Sequence, residues 1–112
     1  MTNYTRGRAR EYQTMRILRG TGWVCTRSAM SHGPIDIIAA RSGDVLLIQV
    51  KSGSARAKRD ELSLLRKWAT EFNATAEVWS FRTKGMVRRM RVRSKEGLAS
   101  PVTLTASQIL PA

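Results

Sequence analysis

Cysteine, histidine and proline are scarce in this chain of 112 residues, which has one Cys, one His and three Pro. Cys25 alone cannot close an intramolecular disulfide, so a disulfide-stapled scaffold and a Cys-rich zinc module are both excluded. With His32 as the sole histidine, neither a two-histidine acid–base pair nor a histidine-rich metal site can be assembled. There is no Gly-x-x-x-x-Gly-Lys-Ser/Thr phosphate loop, which argues against a nucleotide cofactor. No apolar run nears the ~20 residues that a membrane helix requires, the longest being Val45 to Ile48. Met1 to Arg10 is polar where a signal peptide needs an apolar stretch, so the expected location is cytoplasmic and no membrane partner is expected.

Acidic residues are the other shortage. Eight Asp and Glu stand against 20 Lys and Arg, a formal charge of +12 that must be solvated or met by a polyanion. Nucleic acid is the leading partner for such a surface. What remains is globular in composition, with 42% hydrophobic residues gathered in blocks, and the length allows one domain.

Arg6 to Arg19 is helix-compatible, with Glu11, Met15 and Leu18 on one face and glycines at 20 and 22 to stop it. Glu11 thus falls on the apolar stripe. It is either a ligand for a cation or a helix-end acid favoured by the dipole, and spacing alone leaves the two even. Trp23 to Ser28, Ile35 to Ala40 and Val45 to Val50 read as strands, with Ser42-Gly43 as a hairpin turn that sets Arg41 opposite Asp44. In that register Asp36 stands opposite Gln49, and the period of two puts Lys51 on the same face. These strands are otherwise apolar on both faces, as in central strands covered from both sides. A second helix is expected over Ser54 to Phe72, with Leu62, Leu65, Ala69 and Phe72 buried and Trp68 widening the apolar face. Thr75 to Phe81 and Met86 to Arg93 complete the strands, and residues 94–112 form a tail or an added edge element. The predicted architecture is α/β: one mixed five-stranded sheet flanked by helices in the order αβββαββ, the second helix crossing over to bring the fourth strand beside the third.

An Asp, a Gln and a Lys converging on strands this apolar are costly unless they bind something. Hydrolysis of a phosphodiester needs a divalent cation to hold the phosphate and activate a water, and hard oxygens to hold the cation. Asp36, Glu11 and the amide oxygen of Gln49 can supply those oxygens, and Lys51 can orient the water or neutralise charge on the phosphate. Mg²⁺ is the expected ion, with Mn²⁺ able to replace it. Glu77 on the fourth strand is an alternative acid, although its position reads as a solvent-facing strand residue.

The segment from Arg27 to Ala40, with its Gly33-Pro34-Ile35-Asp36, then Gly43 and Ile48-Gln49-Val50-Lys51-Ser52, resembles the archaeal-type Holliday junction resolvases of the PD-(D/E)xK nuclease superfamily. Arg6-Gly7-Arg8-Ala9-Arg10-Glu11 matches the leading Arg-Gly-x-x-x-Glu of that family and draws Glu11 towards function. The resemblance implies a restriction-endonuclease-like domain over 1–93, with Glu11 and Asp36 as metal acids, Lys51 as the catalytic lysine, and Arg27 and Ser31 as junction contacts. Arg6, Arg8 and Arg10, and the row Arg89, Arg91 and Arg93, are further candidates for phosphate contacts. The departure is Gln49, where the family usually has Glu, so two ligating carboxylates remain in place of three. The resemblance also implies a homodimer, since a four-way junction must be nicked symmetrically on two strands. Two other functions fit the same motif, a Mrr-like restriction or repair endonuclease on duplex DNA and a catalytically silent DNA-binding protein.

Overall fold

A computed structural model describes residues 3–28, 33–82, 86–93, 97–98 and 102–105. The first helix, α1 (Asn3–Gly20), precedes three strands, β1 (Val24–Arg27), β2 (Ile37–Arg41) and β3 (Asp44–Ser52). Helix α2 (Arg59–Phe72) is followed by β4 (Thr75–Phe81) and β5 (Met86–Arg93), and the order αβββαββ is the expected one. Two short strands lie beyond them, β6 (Gly97–Leu98) and β7 (Val102–Thr105), and both pair antiparallel with β5. Part of the tail is therefore an edge element of the sheet. Among the described residues no helix is long and apolar enough to cross a membrane.

The β2–β3 hairpin turns on Ser42 and Gly43, with φ of 52° and 87°. Two consecutive positive φ values give a two-residue turn whose twist matches the flanking strands. Closure there fixes Arg41 against Asp44 and carries the register to Ile37 against Ile48. From β3 the chain crosses over through α2, and β4 lies parallel to β3 with Gln49 beside Val78. All other pairings in the sheet are antiparallel.

Each face of the sheet carries one helix and one core. Beneath α1, Met15 and Leu18 pack on Ile37, Ala39, Leu46, Ile48, Trp79, Phe81 and Val87. Beneath α2, Leu65 and Ala69 pack on Ile35, Leu47, Ala76, Val78 and Val92. Leu46, Leu47 and Ile48 are all buried, as a strand covered on both faces demands.

Two helix ends differ from expectation for identifiable reasons. Helix α1 ends at Gly20, one residue past the expected Arg19, and the chain turns at Gly22, at φ 90°, where Trp23 N–H reaches Leu18 O at 3.0 Å and Gly22 N–H reaches Arg19 O at 3.1 Å. This paired closure requires a left-handed residue, so Gly22 supplies the stop. Helix α2 begins at Arg59 and not at Ser54, because Gly53 turns the chain with φ 64° and the Glu61 carboxylate accepts the Lys58 N–H at 2.8 Å. A carboxylate reaching back three residues satisfies one of the amides that a helix start leaves open. Phe72, expected in the core, is 46% exposed and stacks on Trp68, with ring centroids 6.0 Å apart. Trp68, four residues back, packs against the α2 core and offers Phe72 a ring to stack on at its outer edge.

Candidate active site

Asp36 lies where the chain enters β2. Its N–H donates to Ile48 O at 2.8 Å, and its own carboxylate oxygen Oδ2 accepts the Val50 N–H at 2.7 Å. The backbone and side chain of Asp36 thus bracket Gln49, just beyond the last pair of the hairpin, Ile37 with Ile48. Burial pushes the Asp36 carboxyl up to about 6, opposed by the Val50 hydrogen bond, raised further by Glu11, lowered by Lys51 and raised by Glu61.

Gln49 is 4% exposed, and the oxygen Oε1 of its amide is buried with no hydrogen-bond partner. Its Nε2 donates to Glu61 Oε2 at 3.2 Å. Because an ionised carboxylate only accepts, this contact fixes which end of the amide faces Glu61 and which faces away. Lys51, two residues along on the same face, places Nζ 3.2 Å from Glu61 Oε2 and 3.4 Å from Oε1. Partial burial alone would raise the Glu61 carboxyl, but the Lys58 N–H and the Lys51 ammonium outweigh it and hold the carboxyl below its usual range.

Glu61 is the residue that reasoning from sequence passed over. The available signal was an acid in the first turn of the helix that follows the Gln49-Val50-Lys51 strand. Placing the helix start at Ser54 hid that signal, since Glu61 then sits in mid-helix.

Glu11 projects from α1 and takes the Arg27 Nε at 2.8 Å. Arg27 also lies over the Tyr12 ring at 5.5 Å, and its guanidinium is held above its usual range, first by the hydrogen bond to Glu11. Arg10 stacks over Phe81 at 5.6 Å and donates to Gln13 at 2.9 Å. A cleft of about 430 Å³ opens beside Lys51 between α1 and the turn that follows β3, lined by Gly7, Arg10, Lys51 and Ser52 among others. Arg8 is half-buried on the same helix. Ser31 lies outside the described residues, as do the side chains of Arg6 and Arg93.

Glu77 stands apart from this group. It is paired in register with Ile48, so it points to the α1 face, whereas Gln49 and Lys51 point to the α2 face. Far from facing solvent, it is 4% exposed and accepts Arg89 Nε at 2.8 Å, Arg89 Nη2 at 3.0 Å and Trp79 Nε1 at 2.8 Å. Arg91 adds an ion pair at 3.9 Å. Both faces of β4 are covered, and Arg89 from β5 compensates the buried charge. Arg89 and Arg91 thus share the face of the sheet opposite Asp36, Gln49 and Lys51.

The structure accordingly brings Asp36, Gln49, Lys51 and Glu61 together, with Glu11 near enough to act on Asp36. Among the described residues no three acids, histidines or cysteines already close on one point, because Arg27 holds Glu11 while Lys51 and Gln49 hold Glu61. An unpartnered buried amide oxygen at Gln49 and a buried carboxylate at Asp36, hydrogen-bonded to the following residue Val50, are hard oxygen donors that fit a divalent cation. Mg²⁺ commonly takes only one or two protein oxygens and keeps waters elsewhere.

Comparison with known proteins places this geometry. No curated protein matches the chain. Among solved structures, the 1.6 Å structure of Hjc from Archaeoglobus fulgidus, a Holliday junction resolvase from an archaeal hyperthermophile, superposes with a TM-score of 0.69. The two sequences are 23% identical, and the match covers 91% of this chain and 85% of that one, so it shows the shared fold. The family model for archaeal Holliday junction resolvase (Hjc) matches residues 2–99. The chain therefore belongs to the archaeal Holliday junction resolvase family, a family of nucleases whose substrate is branched DNA.

Proposed function

We propose that this protein resolves four-way DNA junctions by Mg²⁺-dependent phosphodiester hydrolysis, acting as a homodimer. The observation that carries this reading is the buried, unpartnered oxygen of Gln49 on a strand segment whose next residue, Val50, donates its N–H to the Asp36 carboxylate, with Lys51 on the same strand face. Asp36 and Gln49 would hold the cation, and Glu11 is the third candidate ligand. When bound, the ion acts as a Lewis acid on the scissile phosphate and lowers the pKa of a coordinated water.

The remaining work falls to side chains of this chain. Lys51 presents its ammonium on the α2 face beside Glu61 and Gln49, where it would neutralise charge that develops on the phosphate. Arg27 is held by Glu11 and by the Tyr12 ring, so a backbone phosphate that captures its guanidinium also frees Glu11. The formal charge of +12 favours a phosphate-dense, branched substrate and makes binding steeply dependent on salt. Homodimerisation is supported by the outer face of α2, where Leu64 and Phe72 are 42% and 46% exposed and flank Trp68. A contiguous apolar patch of this kind is a common mark of a protein interface.

The test is an immobile four-way junction, a linear duplex and a single strand, each incubated with Mg²⁺ and either the native protein or Lys51→Ala. The native protein should nick the junction in two symmetric strands and leave the duplex intact. Lys51→Ala should bind the junction with nearly native affinity and cut at least about a hundredfold more slowly. Equal cleavage of the duplex would indicate a general endonuclease, and binding without any cleavage a silent DNA-binding protein.

A further inference from the structure

The Gln49 amide and the Glu61 carboxylate form a polar pair between strand and helix. In that pair the acid sits on α2 and the amide on β3, 3.2 Å apart. From this arrangement we infer that Glu61 is a positioning residue of the active site, which supplies from α2 the negative charge that position 49 lacks and turns the Gln49 oxygen towards the cation. This inference rests on the metal-dependent reading above and specifies how its donor set is completed.

Three observations converge on it. Gln49 is almost wholly buried, so its amide orientation is set by protein contacts and not by water, and Glu61 Oε2 is the partner that its Nε2 has. The consequence is an oxygen, Oε1, left buried and unpartnered, which would be costly in a site that binds nothing. Lys51 is tied to the same carboxylate, so one acid sets both the neutral donor and the ammonium of the Gln49-Val50-Lys51 segment. Glu61 is itself pinned by the Lys58 N–H at the start of α2, which gives it a fixed place from which to act.

The pairing changes what a glutamate at position 49 should do. With two carboxylates, the bare expectation is that Gln49→Glu tightens metal binding. With Glu61 about 3 Å away, a carboxylate at position 49 would lose the Nε2 donor to Glu61 and repel it, so the added charge is largely offset by the displaced Glu61. Gln49→Glu together with Glu61→Gln restores one acid and one amide with their places exchanged.

The experiment is a double-variant cycle read by Mn²⁺ binding to the DNA-free protein, using electron paramagnetic resonance of the free ion. Glu61→Gln should weaken Mn²⁺ binding about tenfold or more, since it removes one charge within several ångströms of the ion. Gln49→Glu alone should change affinity by less than about threefold, whereas in the Glu61→Gln background it should tighten binding about tenfold, returning it near the native value. Glu61→Gln keeps an acceptor for the Lys58 N–H, so the helix start is retained. Should it unfold in circular dichroism, Glu61→Asp withdraws the carboxylate from Gln49 while keeping an acid in the first turn, and a comparable loss is expected. The inference is overturned if Glu61→Gln, or Glu61→Asp in its place, binds Mn²⁺ as tightly as the native protein. It is equally overturned if Gln49→Glu has the same effect in both backgrounds. Asp36→Asn separates the two levels: loss of binding there with none at Glu61 removes only the role of Glu61, whereas no binding by the native protein removes the metal-dependent reading itself.

Discussion

Asp36 should make the metal-free protein less stable as pH rises, and Asp36→Asn should relieve the burden. Its carboxyl lies at about 6 in the fold against 3.8 for the free group. The folded state therefore prefers the protonated form. The stability linked to that proton is fully present below the unfolded value and is lost as pH climbs through about 6. A displacement of about two pH units corresponds to about 3 kcal/mol, with burial as its main source. Asn is neutral at every pH and still offers an oxygen to the Val50 N–H, so it isolates the charge from the hydrogen bond. Urea unfolding of both proteins with a chelator, from about pH 4 to about pH 8, should show the variant gaining on the native protein, from near zero to about 3 kcal/mol. Subtracting the two curves cancels the titrating groups that do not interact with Asp36, and leaves its own proton together with its coupling to Glu11, Lys51 and Glu61. Added Mg²⁺ should then raise the native midpoint above neutral pH and have little effect near pH 5, where protons compete for Asp36. A difference that stays flat across the range would refute the view that Asp36 is held as a strained acid.

Two other expectations follow from the opposite face of the sheet and from α2. Glu77→Gln should cost about 3 kcal/mol in unfolding experiments, because it leaves Arg89 without its counter-charge, while Mn²⁺ affinity stays native; a drop in that affinity would mean that the two faces are not separate. If the proposed dimer forms through the outer face of α2, Leu64→Lys should shift the mass in sedimentation towards monomer without lowering the melting temperature by more than a few degrees, since Leu64 is 42% exposed; an unchanged mass would place any interface elsewhere.

The part of the site legible in sequence was the part fixed by strand geometry. Ser42-Gly43 prescribes a two-residue turn, and the turn carries the pairing as far as Ile37 with Ile48, which brings Asp36 to the Ile48–Val50 segment and sets the face of Lys51. No such rule reached Glu61. Its contacts cross 10 and 12 residues of sequence and depend on where α2 starts, a boundary set by Gly53 and by the Glu61 carboxylate itself. Glu77 shows the complementary difficulty. An isolated acid on a strand reads as solvent-facing until its neighbour is known, and the neutralising Arg89 comes from a strand whose alignment sequence does not reveal. Phe72 fits the inner stripe of α2 by spacing, yet it lies at the outer edge, stacked on Trp68.

The Ser42-Gly43 turn carries no chemistry, yet its length matters as much as any residue of the site. Gln49 lies five positions along β3 from Asp44, about 17 Å at the rise of a strand. One extra residue in the loop, unless absorbed as a bulge, would move every partner by one place and set Ile48 or Val50 against Asp36. The amide that faces α2 would then point towards α1, and a buried carboxylate would face hydrocarbon. Insertions at this exposed tip, ordinarily the most permissive place in a hairpin, should, where they shift the register, be as damaging to the proposed cleavage as substitutions among the side chains proposed to carry it.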